Sequence, residues 1–128
     1  MTTSAPLTPN QLGALGEQVA VEYLVGLGLH IAQRNWRCRY GELDIIAVEG
    51  DGRQGGTAVF VEVKTRSGDG FGGLEQAVTP QKVRRIRRLA GIWLSGQDAV
   101  WSHVRIDVIG VRIGGRRTPE VMHLRGVG

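Results

Sequence analysis

Glu42-Leu43-Asp44-Ile45-Ile46-Ala47-Val48, an apolar-free run rich in Gly and Asp from Glu49 to Gly56, and Ala58-Val59-Phe60-Val61-Glu62-Val63-Lys64 decide the fold. Two apolar segments separated by such a run read as adjacent antiparallel strands joined by an exposed hairpin loop. Side chains two positions apart in a strand share a face, so Glu62 and Lys64 project together while Val61 and Val63 project to the other side. If the hairpin is symmetric about residues 53 to 54, Asp44 falls near Glu62. The expectation is a patch of sheet carrying two carboxylates and an ammonium.

Working outward, Leu29-His30-Ile31-Ala32-Gln33-Arg34-Asn35-Trp36-Arg37 reads as a strand that turns at Arg39-Tyr40-Gly41, giving a three-stranded meander. Before it, Thr8-Pro9 is a cap followed by proline at the first helical position, and Leu12, Leu15, Val19, Tyr23, Leu24 and Leu27 recur at helical spacing up to a stop at Gly28. Glycines at 13, 16 and 26 lower that helix's propensity and point to close packing on a sheet. After the meander, Ser67-Gly68-Asp69-Gly70-Phe71-Gly72-Gly73 reads as a glycine-rich loop. Thr79-Pro80 then opens a second helix with Val83, Ile86, Leu89, Ala90 and Trp93 as its buried stripe, ending near Ser95. Two strands, 103–109 and 120–124, close the chain around a basic hairpin at Arg116 and Arg117. The order helix, meander, helix, two strands predicts an α/β fold, a mixed central sheet with flanking helices. Residues 1–128 read as a single domain, with 1–8 a frayed arm.

Composition bounds the function. The 128 residues contain no apolar stretch near the roughly 18 needed to span a membrane, no basic and apolar leader, and one cysteine, Cys38. A soluble, cytoplasmic protein without a disulfide or a zinc-finger site is expected. The net charge of +4 favours an anionic partner, and it is unevenly spread: −2 over residues 1–64 and +6 over residues 65–128. Arginines outnumber lysines 14 to 2, so the charge is permissive rather than diagnostic.

A Glu-x-Lys triplet is common by chance. What sharpens this one is that one of only two lysines stands in the most apolar strand, flanked by Val63 and Thr65. Lysine is a compact charge whose pKa shifts on burial, which arginine does not offer. Charges placed in apolar strands must either compensate one another or bind something. Two carboxylates with open coordination positions suit Mg²⁺, a hard ion that retains waters and takes phosphate oxygens. Glu42 shares a face with Asp44 and ranks below it. Lys82, Arg84, Arg85, Arg87 and Arg88 between the core positions of the second helix read either as a phosphate-contacting face or as a solvated one. Trp93 reads as core, His30, His103 and His123 have no ligand spacing among them, and Asp107 with Arg105 on the same face reads as a structural ion pair.

The sequence Gly41-Glu42-Leu43-Asp44-Ile45-Ile46-Ala47 followed by Val59-Phe60-Val61-Glu62-Val63-Lys64-Thr65-Arg66, preceded by Gly16-Glu17 and Arg34-Asn35-Trp36-Arg37, resembles the YraN family of small bacterial proteins. The resemblance runs from about Leu12 to Ile109. It implies a restriction-endonuclease-like, PD-(D/E)xK fold, with Leu43 where the motif's proline would stand. The wider pattern is also similar to archaeal Holliday junction resolvases. By that similarity Asp44 and Glu62 are metal ligands, Lys64 is the catalytic lysine and Glu17 is a fourth acidic participant. The implied activity is a Mg²⁺-dependent nuclease, with Mn²⁺ as a substitute, acting on branched or single-stranded DNA. Lys82, Arg84, Arg85, Arg88 and Phe71 would hold the strand, and a resolvase-like role would need a homodimer. The rival expectations are a nucleic-acid-binding module without turnover and a protein-interaction scaffold whose charged patch is an ion network.

Overall fold

The computed structural model describes residues 7–51, 55–68, 74, 78–99, 101–114 and 118–128. Helix α1 (Pro9–Gly26) precedes strands β1 (His30–Cys38), β2 (Gly41–Glu49) and β3 (Thr57–Ser67); helix α2 (Pro80–Ser95) leads to β4 (His103–Ile113) and β5 (Glu120–Leu124). The strands form one mixed sheet in sequence order, antiparallel except for the parallel β3–β4 pair. A parallel pair needs a crossover, and α2 is that crossover.

Both helices start where side chains can satisfy their first amides. Thr8 accepts from the Gln11 amide while Gln11 Oε1 accepts from the Thr8 amide, a reciprocal box, and Thr79 accepts from the Lys82 amide. Gly28, at φ 94°, takes the left-handed conformation that ends α1.

The helices cover opposite faces. Val83, Ile86, Leu89 and Trp93 of α2 bury against Leu43, Ile46, Phe60 and Ile106. On the other face Ala20 and Leu24 of α1 bury against Ile45, Ala47, Val59, Val61 and Ile109. The buried stripe of α1 is Gly16, Ala20 and Leu24, so the expected stripe is corrected: Leu15 and Leu27 are exposed. Small residues face the sheet because the helix lies so close to it. A Cβ on Gly16 would stand 1.9 Å from Thr65 Oγ1, whereas Gly13 and Gly26 face open space and serve no such contact.

The β1–β2 pairing is irregular at two places: its register shifts between Ile31 and Gln33, and a second interruption, at Asn35 and Asp44, positions the site. In β1, Asn35 has φ 50°, an uncommon conformation for a non-glycine residue. The β1–β2 register runs through Arg34↔Ile45 and resumes at Trp36↔Leu43, omitting Asn35 and Asp44. Across this step Leu43 packs toward α2 although Ile45 packs toward α1. On β1, Trp36 likewise joins the α2 side, while Arg34 and Asn35 reach the α1 residue Glu17.

Candidate active site

The β2–β3 ladder stops at Ile45↔Val61. Asp44, at the break, continues the connection with its side chain: Oδ2 accepts the Val63 backbone N–H at 2.9 Å. Burial raises the Asp44 carboxyl from 3.8 to about 6; the Val63 N–H opposes that rise, and the neighbouring carboxylates of Glu62, Glu17 and Glu42 add to it. A half-buried acid held among other acids is a place where a cation is favoured.

Glu62 and Lys64 share the α2 side of β3, as the alternation requires. Three cations approach Glu62 through Oε1: Lys82 Nζ at 3.6 Å, Lys64 Nζ at 3.8 Å and Arg85 Nη2 at 3.9 Å. Lys82 and Arg85 are successive residues of one α2 stripe, three apart. Lys64 lies below the ordinary lysine range because Lys82 sits against it and because it is partly buried; Glu62 and Asp44 oppose the fall. Three cations on one carboxylate leave a local excess of positive charge. An anion would complete the balance.

Two clefts meet at Asp44. One, of about 250 Å³, lies between the sheet and α2 and is lined by Glu42, Asp44, Glu62 and Arg85. The other, of about 440 Å³, opens toward α1 and is lined by Glu17, Asn35, Glu42, Asp44 and Lys64. Glu17 therefore shares a cleft with Asp44, but it is engaged: Arg34 Nε lies 3.1 Å from Glu17 Oε1, and Asn35 Nδ2 donates to the same oxygen at 2.9 Å. Glu42 pairs with Arg37 at 3.2 Å.

The basic run of α2 divides by helix face. Lys82 and Arg85 serve Glu62, Arg88 stands over the Tyr40 ring, and Arg87 reaches the C-terminal Gly128 carbonyl. Arg84 is exposed and takes part in none of these contacts. Phe71, expected to help hold a strand, lies outside the described residues, as do Arg116 and Arg117.

Among the described residues no set of three or more His, Cys, Asp or Glu side chains converges closely enough to hold a metal ion. The donors at the break are instead two carboxylates, Asp44, whose Oδ2 takes the Val63 amide, and Glu62, whose Oε1 faces the three cations. That donor set fits Mg²⁺, which takes few protein oxygens and keeps its waters, and does not fit a closed structural zinc site.

A second polar cluster contains the Arg105–Asp107 ion pair expected from the sequence, together with partners that the sequence did not show. Asp107 is fully buried, and Arg105 grips it with Nε at 2.9 Å and Nη2 at 3.1 Å. His123 Nε2 lies 2.7 Å from Asp107 Oδ2, the Gly126 amide donates to Oδ1 at 3.0 Å, and Tyr23 Oη is 3.1 Å from His123 Nδ1. The Arg105 pair is visible as an i, i+2 spacing; the contact of Tyr23 with His123 joins residues 100 positions apart and has no local signal.

Comparison with known proteins places the chain among close relatives. A family model described as "Uncharacterised protein family UPF0102" matches residues 16–111. A UPF0102 protein of Mycobacterium avium (strain 104) is 65% identical over 128 residues, covering 100% of this chain and 98% of the relative. One from Mycolicibacterium smegmatis (strain ATCC 700084 / mc(2)155) is 70% identical over 122 residues, covering 95% of this chain and 96% of the relative. A third, from Mycobacterium tuberculosis (strain ATCC 25177 / H37Ra), is 61% identical over 131 residues, with 100% of both chains covered.

Proposed function

The chain belongs to the uncharacterised protein family UPF0102, and from that premise we propose that it is a metal-dependent phosphodiesterase of restriction-endonuclease-like fold acting on branched or single-stranded DNA. The observation that carries this reading is the pairing of opposites at the β2–β3 break. A half-buried carboxyl raised to about 6 stands beside a carboxylate with three cations at one oxygen. A perturbed acid beside a carboxylate that three cations approach fits phosphate-ester hydrolysis better than a closed structural network, in which the charges would pair one to one.

Asp44 and Glu62 are the residues that would hold Mg²⁺ or Mn²⁺. When bound, such an ion supplies charge neutralisation at the phosphate and a more acidic water. Lys64, depressed by Lys82, holds or accepts a proton of the attacking water. The water oxygen bonds to phosphorus as the P–O bond to the departing strand breaks. Lys82 and Arg85 hold non-bridging phosphate oxygens, contacts that position a strand without reading its sequence. Arg84 contributes long-range attraction. Glu17, tied to Arg34 and Asn35, acts as a positioning residue at the rim. Paired cuts across a branch would require a second copy of the chain.

A second reading, a nucleic-acid-binding module of the same fold without turnover, is favoured by the absence of a third converging ligand among the described residues. Cleavage of labelled single-stranded, duplex, flap and four-way-junction DNA with Mg²⁺ or Mn²⁺ separates the two. Loss of cleavage in folded Asp44→Ala and Lys64→Ala variants supports the nuclease. Binding without cleavage by the wild type supports the module, and cleavage retained by both variants removes these residues from the chemistry.

A further inference from the structure

The β1–β2 turn carries an aromatic ring whose setting the site chemistry leaves unexplained. Tyr40 is 46% exposed at the tip of the turn. The Arg88 guanidinium carbon stands 4.2 Å from its ring centroid, and that of Arg39 stands 5.2 Å from it. Gly41, next in the chain and at φ 147°, lets the turn lie on α2: a Cβ there would stand 3.2 Å from Leu89 Cδ1. The turn is thereby fixed to the helix that supplies Lys82 and Arg85. Residues 82, 85 and 88 follow one helix face at three-residue spacing, so the cations run from Glu62 to Tyr40 over about 9 Å of helix. That span is of the order of one to two nucleotides of an extended strand.

We propose that Tyr40, with Arg88 and Arg39, is a stacking platform for an unpaired base of a DNA strand whose backbone follows Lys82 and Arg85. The inference rests on the nucleic-acid reading of the neighbouring cleft. A half-exposed aromatic ring with guanidinium groups beside it accepts any base on its open surface, because every base offers a π-face and arginine adds a stacking and cationic contribution. A paired base is unavailable to it. The platform therefore selects single-stranded segments, flaps or junction arms next to the cleavage point, and it does so without sequence preference.

The test is binding, measured with EDTA present so that cleavage plays no part. Fluorescence anisotropy of a labelled oligothymidylate and of a labelled duplex is compared for wild type, Tyr40→Phe and Tyr40→Ala. The expected result is about a tenfold rise in Kd for the single strand with Tyr40→Ala, little change with Tyr40→Phe, and less than about a twofold change for the duplex with either. A strand carrying 2-aminopurine should be quenched by wild type and by Tyr40→Phe, but not by Tyr40→Ala. Equal losses on single strand and duplex, or no loss on either, would overturn the platform. Cleavage is scored separately: an Asp44-dependent activity indifferent to Tyr40→Ala leaves the nuclease standing and removes the platform. Tyr40-dependent binding without cleavage does the reverse. Absence of any DNA binding removes both.

Discussion

Asp44 takes the backbone N–H of Val63 at 2.9 Å one residue beyond the last β2–β3 rung, so a side chain replaces the main chain where the sheet opens. The carboxyl is thereby fixed in a half-buried position that ordinary pairing would have closed.

That placement has a pH signature. The folded-state pKa, about 6, lies above the ordinary 3.8, so the native protein binds this proton more tightly than the unfolded chain. The associated stability is full below about pH 4 and is lost as pH rises through 6, a change on the order of 2 kcal/mol. Asp44→Asn keeps an acceptor for Val63 and removes the charge. In metal-free buffer at neutral pH its Tm should exceed that of wild type, and its stability should vary less between pH 4 and 6. Urea titrations across that range check both.

An ion binding only the folded chain must stabilise it. Millimolar Mg²⁺ or Mn²⁺ should raise the wild-type Tm by a few degrees and leave Asp44→Asn unmoved. Equal shifts in both proteins would place the ion elsewhere.

Gly16 sets the height of α1 above the sheet. Gly16→Ala places a Cβ 1.9 Å from Thr65 Oγ1 and 2.7 Å from Thr65 Cβ, so the helix must lift. The expected cost is about 1–3 kcal/mol, the range for overpacking, although alanine favours the helix itself. Thr65→Gly in the same chain should recover part of it. Calorimetry of the two single variants and the double variant gives the coupling.

Asp107 behaves oppositely to Asp44. Burial alone would raise its carboxyl, but hydrogen bonds from Arg105, the Gly126 amide and His123 hold it below the ordinary carboxylate range. Its contribution is present above about pH 4 and is lost as pH falls below that value. Asp107→Ala leaves the Arg105 guanidinium without its principal partner and should destabilise the fold by about 3–5 kcal/mol. The gap between wild type and Asp107→Asn should narrow on acidification below pH 4, as followed by circular dichroism.

The order and type of the seven elements among the described residues were legible because each carries a local signal: two Thr-Pro helix starts, two helical apolar periods, and strands read from apolar runs or alternation bounded by turns. The nearness of Glu62 to Lys64 followed from strand alternation alone. The buried face of α1 was not legible, because periodicity weights large apolar residues while the contact is made by Gly16 and Ala20. The step at Asn35 and Asp44 was equally hidden. Nothing in Arg34-Asn35-Trp36 announces a positive φ, although asparagine tolerates one better than most residues. The grouping of Lys82 and Arg85 on Glu62 needed the crossover to be folded before it could be seen.

That crossover also orders events in time. Two of the three cations on Glu62 come from α2, which is synthesised after the whole meander. The nascent meander therefore carries Asp44 and Glu62 with Lys64 beside them, and Glu62 meets Lys82 and Arg85 only when α2 folds back to bring β4 alongside β3. Long-range parallel pairing is a slow step in folding. The charge balance of the cleft is thus among the last properties the chain acquires, and a chain released before β4 would retain an acidic sheet without its basic lid.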